Sequence, residues 1–240
     1  MSDDSIFRFK RFEVHNSDSA LKVGTDAVLL GAAMTILPTD AHLLDIGTGT
    51  GVIALMAAQR LSDIAGGRDF RIDAIDIDAP SAREAARNFE ESPWGHALSA
   101  SDVALEAFVP SGHYDLIFSN PPYYDNSLLN PDAREAAARH TESLSYREIC
   151  AFASEWLTPE GRLSLILPSE SGPMLKRTAA SFGLYPFRTI AVRTIAAKPP
   201  RRLIAEFGRV RTVPEASMLT LQDGASRTQQ YDSLTGEFYL

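Results

Sequence analysis

The sequence predicts an α/β protein built on a doubly wound sheet, mostly parallel, with an antiparallel C-terminal edge strand. Three observations carry that prediction. Short apolar, strand-like runs alternate with amphipathic helical runs along most of the chain, which calls for right-handed crossovers between parallel strands. A glycine-rich stretch, Gly47–Gly51, stands directly after one strand and directly before a helix. The last two β-like runs, Leu184–Thr194 and Leu203–Val210, are separated only by Ile195–Arg202. That is too short for a crossover helix, so the pair forms a hairpin with one antiparallel strand.

The elements follow in order. Thr25 or Asp26 caps a helix running to about Leu37. His42–Ile46 is a strand, and Val52–Leu61 has helical periodicity. Arg71–Ile77 alternates apolar residues with acids and is the next strand. Pro80–Glu91 is a helix, with Asp78 as its cap and Pro80 in its first turn. Ala97–Ser101 and Tyr114–Ser119 are strands, and Pro131–Arg139 is a short helix within a long loop. A loop of that length beside a strand end is usually functional. Ser145-x-x-Glu148 is a capping box that opens a helix to about Leu157. Arg162–Leu167 is a strand and Gly172–Phe182 a helix.

A chain of 240 residues, 45% hydrophobic and 22% charged, buries a sizeable core, which excludes wholesale disorder. The single cysteine, Cys150, excludes an internal disulfide and any multi-cysteine zinc site. It sits among Ile149, Phe152 and Ala153 in a predicted helix and is expected in the core. None of the five histidines has metal spacing, and no metal is expected. The amino terminus lacks a basic segment followed by an apolar one, and the apolar stretches Ala27–Leu37 and Val52–Ala58 fall short of the ~20 residues of a membrane span. A cytoplasmic protein without membrane attachment is expected.

The net charge is −8, yet the segment from Lys176 to Arg211 holds nine basic residues and one acid, Glu206. Local patches rather than net charge steer a polyanion. Solvated strand ends would give the same count, so charge alone leaves both readings open.

Ligands of doubly wound sheets sit beyond the carboxyl ends of the strands. Four motifs fall there. In Asp45-Ile46-Gly47-Thr48-Gly49-Thr50-Gly51, the glycines permit a sharp turn and close ligand approach, and the helix start offers free N–H groups. The spacing is G-x-G-x-G, unlike the G-x-G-x-x-G of dinucleotide binders. Asp45 is awkward for a pyrophosphate and favourable for a cation, which favours S-adenosylmethionine over a nicotinamide cofactor. Asp76 ends the next strand, where an acid accepts from ribose hydroxyls. Asp102 follows the third strand, where it either accepts from an adenine amino group or caps a turn.

Asn120-Pro121-Pro122-Tyr123 is the most specific signal. The two prolines fix the backbone and remove two N–H donors. A rigid backbone carbonyl and the Asn120 side-chain carbonyl then converge on one –NH2 group, and Tyr123 offers a face for stacking a planar group. Before the first core strand, Lys22-Val23-Gly24-Thr25-Asp26 either caps a helix or folds over the methionine end of the cofactor.

Together these residues resemble class I S-adenosylmethionine-dependent methyltransferases, with a Rossmann-like sheet. Among these, the chain is similar to the bacterial tRNA1(Val) (adenine-37-N6)-methyltransferase family. The likeness runs through Phe9-Lys10-Arg11-Phe12, Lys22–Asp26, Ser92-Pro93-Trp94, Ser119–Tyr124, Ala138-Arg139-His140-Thr141 and Phe238-Tyr239-Leu240. The resemblance implies methyl transfer to N6 of an adenine in a tRNA anticodon loop by in-line displacement. It places Lys22, Gly24, Thr25, Asp26, Asp45, Gly47, Thr48, Gly49, Gly51, Asp76, Ile77, Asp102 and Asn120 at the cofactor. Asn120, Pro121, Pro122 and Tyr123 stand at the target base, and His140 borders the acceptor pocket. Arg8, Lys10, Lys198, Arg201 and Arg202 are the candidate phosphate contacts.

The implied organisation is one globular domain: an N-terminal extension and cofactor lid at 1–40, the methyltransferase core at 41–212, and a C-terminal tail packed on it at 213–240. A monomer or homodimer is expected. Competing acceptors are a protein glutamine amide, ribosomal RNA or a small-molecule hydroxyl. A nicotinamide-dependent oxidoreductase and a non-catalytic cofactor- and RNA-binding module are further alternatives.

Overall fold

The computed structural model describes residues 6–20, 22–122 and 145–240. A short hairpin, β1 (Ile6–Arg8) and β2 (Glu13–His15), precedes helix α1 (Thr25–Ala33). The core continues as β3 (His42–Ile46), α2 (Val52–Ile64), β4 (Arg71–Asp76), α3 (Ala79–Glu90), β5 (Leu98–Asp102) and β6 (Tyr114–Ser119). Then come α4 (Tyr146–Trp156), β7 (Leu157–Pro168), α5 (Gly172–Ser181), β8 (Tyr185–Ile195), β9 (Arg202–Gly208), β10 (Glu215–Asp223), β11 (Ser226–Arg227) and α6 (Gln229–Thr235).

Nine strands form one sheet in the order β5-β4-β3-β6-β7-β9-β8-β10-β11. Strands β3 to β7 are mutually parallel, and β10 is parallel to β8. The expected α/β sheet is present, but the hairpin lies differently within it. Its antiparallel strand β9 sits inside the sheet, paired with both β7 and β8, and the sheet edge is the two-residue β11, antiparallel to β10. Residues 215–223, expected in a tail, add a strand to the sheet.

The central strands of the sheet are buried on both faces. One face packs Leu43, Leu116 and Phe118 under α1 and α2, together with Val28, Leu55 and Phe89. The other packs Leu44, Ile117 and Leu165 under α4 and α5, together with Ile149, Leu175 and Cys150. Cys150 is fully buried, as expected of a core residue, and burial pushes its thiol up to about 12. Strands buried on both faces read as continuous apolar runs, which is why β3, β6 and β7 are legible from the sequence.

Helix starts follow local chemistry. The Asp78 carboxylate accepts from Ser81 N–H at 3.0 Å and caps α3, and the Ser145–Glu148 capping box opens α4. Helix α1 departs from expectation: Gly24 is its N-cap, and neither Thr25 nor Asp26 caps it. The helix also ends at Ala33 rather than near Leu37.

The basic segment is dispersed by the fold. Arg188 donates at 2.8 Å to the buried Glu206, which also accepts from Thr35 and Ser164. Arg209 donates to the carbonyls of Ser154 and Leu157 at the end of α4, where a cation suits the helix dipole. Arg211 lies over the Tyr185 ring. These three arginines hold the protein together, so only part of the basic segment is left to form a surface patch.

Candidate active site

The first cavity, about 440 Å³, opens at the carboxyl ends of β3, β4, β5 and β6. Gly47 and Gly49 form its floor; Asp76 and Ile77 form one side, and Asn120 and Pro122 the other. The volume suits a small-molecule ligand.

The floor is a turn of three glycines, all at positive φ. Gly51 shows why the turn needs them. Its φ is 80°, and a Cβ there would stand 2.5 Å from the Phe89 ring. The turn is tied to β4, because Gly49 N–H donates to one Asp76 oxygen at 2.8 Å while Asp78 N–H donates to the other at 2.9 Å. Both donors orient the Asp76 carboxylate at the cavity wall. Burial raises its pKa, and the two N–H bonds hold the rise back.

Asp45 lies beneath the turn, fully buried. One of its oxygens accepts from the Thr48 hydroxyl at 2.7 Å, and the other has no hydrogen-bond partner within bonding geometry among the described residues. Burial pushes the Asp45 carboxyl up to about 7, against the Thr48 hydroxyl and with the Asp76 charge adding to the rise. A buried carboxylate oxygen without a partner is costly, and positive charge held above the turn would offset part of that cost through space. The cavity is otherwise acidic, with Asp76, Asp78, Glu106 and Glu148 along its wall. That suits a ligand with a positive group and a polar sugar, and it repels a pyrophosphate.

The acceptor side begins where β6 ends. The Ser119 hydroxyl donates to the Ile46 carbonyl at 2.6 Å, which locks the end of β6 to the end of β3. Asn120 and Pro122 follow at the mouth of the cavity. Pro121 is buried behind them. Tyr123 and His140 lie outside the described residues, as do Tyr124 and the 131–139 loop helix.

Of the residues expected at the cofactor, Gly47, Gly49, Asp76, Ile77 and Asn120 line this cavity. Asp45, Thr48 and Gly51 support its floor from below. Asp102 ends β5 with its side chain exposed, and its neighbour Val103 lines the cavity instead. Lys22, Gly24, Thr25 and Asp26 do not line it. Lys22 donates to the Ser17 carbonyl, and Asp26 pairs with Arg202 at 2.7 Å in a second cleft.

The roof comes instead from residues 16–20, which sequence reasoning missed. The buried Glu84 carboxylate accepts backbone N–H bonds from Ser17, Asp18 and Ser19 at 2.7 to 2.9 Å. Ala20 N–H reaches the Ser81 hydroxyl, and Ala20 lines the cavity. Asn88 bonds both the His15 backbone and the Thr50 carbonyl. Ser81, Glu84 and Asn88 are polar residues on the buried face of α3. Their spacing on one helical face is the signal that was available in the sequence.

Of the expected phosphate contacts, Arg8 pairs with Glu13 across the N-terminal hairpin, and Lys10 donates to the Gly236 carbonyl, which ties the two ends of the chain together. An aromatic cluster of Phe9, Phe12 and Tyr239 joins the two ends of the sequence. Lys198 and Arg201 are exposed, and Arg202 is half-buried.

Sheet order and rim chemistry together define a class I methyltransferase fold. Solved structures share it: a protein from Agrobacterium tumefaciens described as a predicted O-methyltransferase superposes with a TM-score of 0.66 at 18% identity, covering 89% of this chain and 96% of its own. A methyltransferase from Pyrococcus furiosus gives 0.58 at 21% identity, covering 82% and 89%. The chain belongs to the Methyltransferase small domain family, whose model matches residues 17–183, and it is a methyltransferase. Among curated relatives, proteins named tRNA1(Val) (adenine(37)-N6)-methyltransferase are 39% identical in Bacteroides fragilis, covering 98% of each chain, and 35% identical in Edwardsiella ictaluri, covering 98% of this chain and 93% of that one.

Proposed function

We propose that this methyltransferase transfers a methyl group from S-adenosylmethionine to the N6 amine of an adenine in the anticodon loop of a tRNA. One observation carries the reading. The glycine turn with its strand-end acid lines the same cavity as Asn120 and Pro122, so donor and acceptor chemistry meet at one place. The activity for which relatives at 35 to 39% identity are named supports the choice of acceptor.

The residues fit the cofactor. The unpartnered Asp45 oxygen and the acidic wall favour its positive groups, the Asp76 carboxylate accepts from ribose hydroxyls, and Ile77 offers an apolar side to the adenine ring. Bound there, the cofactor supplies an activated methyl on a sulfonium, and the amine that takes it releases a proton to solvent. The Asn120 carbonyl and the backbone carbonyl at the prolines hold the two amine protons. Their grip directs the nitrogen lone pair at the methyl carbon. Such alignment supplies most of the rate. Removing a base from its stack costs a few kcal/mol, and less from a loop than from a duplex. Among the described residues no helix is long and apolar enough to cross a membrane, in keeping with work on tRNA in the cytoplasm.

The test is incubation of the purified protein with labelled S-adenosylmethionine and total tRNA from a strain lacking its gene, followed by digestion to nucleosides. Label is expected in N6-methyladenosine, with a loss of at least ~100-fold in Asn120→Ala. Label in another nucleoside overturns the adenine assignment. Cofactor binding without labelled RNA overturns the RNA assignment.

A further inference from the structure

A second cleft, about 640 Å³, opens on the same rim of the sheet. Its wall carries Arg193 from the end of β8, Arg201 and Arg202 at the start of β9, and Arg227 from β11. One carboxylate, Asp26 of α1, faces these four guanidinium groups. Three of the arginines are fixed before any ligand arrives. Arg193 donates from Nε to the Thr220 hydroxyl at 2.9 Å and from Nη1 to the Ala196 carbonyl. Arg202 is held by Asp26 at 2.7 Å. Arg227 lies 4.5 Å over the Tyr239 ring. Arg201 is exposed beside them, and Lys198 stands exposed in the turn that leads to it.

We propose that this cleft binds the phosphate backbone of the RNA strand whose base enters the first cavity, an inference that rests on the RNA reading above. Guanidinium groups pair with phosphate oxygens in a planar, two-toothed geometry. Among the described residues, every charged side chain lining the first cavity is an acid, which disfavours phosphate there. The backbone on either side of a flipped base must therefore rest elsewhere on the rim. Register places the cleft suitably: Arg202 lies opposite Pro168, at the carboxyl end of β7, and β7 neighbours β6, which leads into Asn120. From β6 through β7 and β9 to β8 is three strand spacings, or about 14 Å, within reach of a few nucleotides. Repulsion at one cavity and attraction at the other fix the direction in which the strand lies.

The experiment measures binding of fluorescently labelled tRNA by anisotropy across a salt series, in wild-type protein and in Arg201→Ala/Arg227→Ala. The double variant is expected to bind about tenfold more weakly and to lose about 1.4 from the log–log salt slope, at ~0.7 for each lost contact to a single strand. Its affinity for S-adenosylmethionine, read by calorimetry, stays within about twofold of wild type. Arg201→Ala alone, which changes one exposed side chain, keeps the test alive should the double variant misfold, and loses about threefold. Arg227→Lys recovers part of the loss. Arg68→Ala, at the opposite rim, changes nothing. A double variant with wild-type affinity or an unchanged slope overturns the proposal. Wild-type protein that binds tRNA but methylates none overturns the methylation reading, while the slope comparison still decides the cleft. Wild-type protein that does not bind tRNA overturns both.

Discussion

The two clefts on the carboxyl rim are built from opposite materials. The first is made of backbone: three glycines at positive φ, N–H groups aimed at Asp76, and a proline pair at its mouth. Its charged groups are acids. The second is made of long side chains, four arginines drawn from β8, β9 and β11. The matched family model spans residues 17–183, which includes all of the first cavity but only the α1 wall of the second. The contrast separates two tasks. Backbone geometry survives most changes of side chain, whereas a cleft built from long side chains is altered by a single substitution.

If the first cavity is a backbone device, changes to its frame should cost the most. Gly51→Ala forces a side chain into positive φ and drives Cβ against Phe89. Strain and overpacking together predict about 3 kcal/mol of lost stability by urea denaturation, with loss of cofactor binding by calorimetry. Glu84→Ala leaves the Ser17, Asp18 and Ser19 N–H groups without their carboxylate. A loss of about 2 kcal/mol is expected from the bonds to a charged group, along with weaker cofactor binding as the roof at Ala20 loosens. Equal cofactor affinity in wild type and Glu84→Ala would show that the roof is idle.

The second cleft should respond to salt, and the first should not. With about three phosphate contacts, raising salt from about 50 mM to about 200 mM is expected to weaken tRNA binding about 20-fold. Cofactor affinity should shift less than twofold over that range.

Proton concentration should separate the clefts the other way. The Asp45 carboxyl has a folded pKa of about 7, raised from 3.8 chiefly by burial. The folded protein therefore holds this proton more tightly than the unfolded chain. Unliganded stability is highest below pH 3.8 with respect to this group and falls as pH climbs to about 7. A cationic ligand prefers the ionised form. Cofactor affinity should rise about tenfold from about pH 6 to about pH 8, with proton release visible in calorimetry run in two buffers. Asp45→Asn should flatten the profile and leave tRNA binding unchanged.

Much of the first cavity was legible in the sequence, because its parts are local. A strand, a glycine turn and a helix start lie within Leu43–Ile53, and the Asn-Pro-Pro segment is contiguous with its strand. Strand ends fell within a few residues of prediction for the same reason, except that β7 begins at Leu157. The placement of β9 was not legible, since strand order in a sheet buried on both faces leaves no mark on the hydrophobic pattern. Glu84 left only a weak signal, its place with Ser81 and Asn88 on one face of α3. It reads as one more acid on an amphipathic helix until the residue 16–20 backbone is seen folded onto it. Asp26 is a further case. Its neighbourhood in sequence left helix capping and a place at the cofactor both open, and its partner in the fold is Arg202, brought there by β9.

The bond from Ser119 to the Ile46 carbonyl joins the ends of adjacent strands, one leading to the glycine turn and the other to Asn120. The two sides of the cavity are thus not separate bodies that swing together about a hinge. They are neighbouring threads of one woven sheet, and the error in their alignment is limited by the stiffness of a strand pair. Where a displacement of about 1 Å costs about a hundredfold in rate, that stiffness is a tolerance set in manufacture: it is fixed when the chain folds, before either reactant arrives.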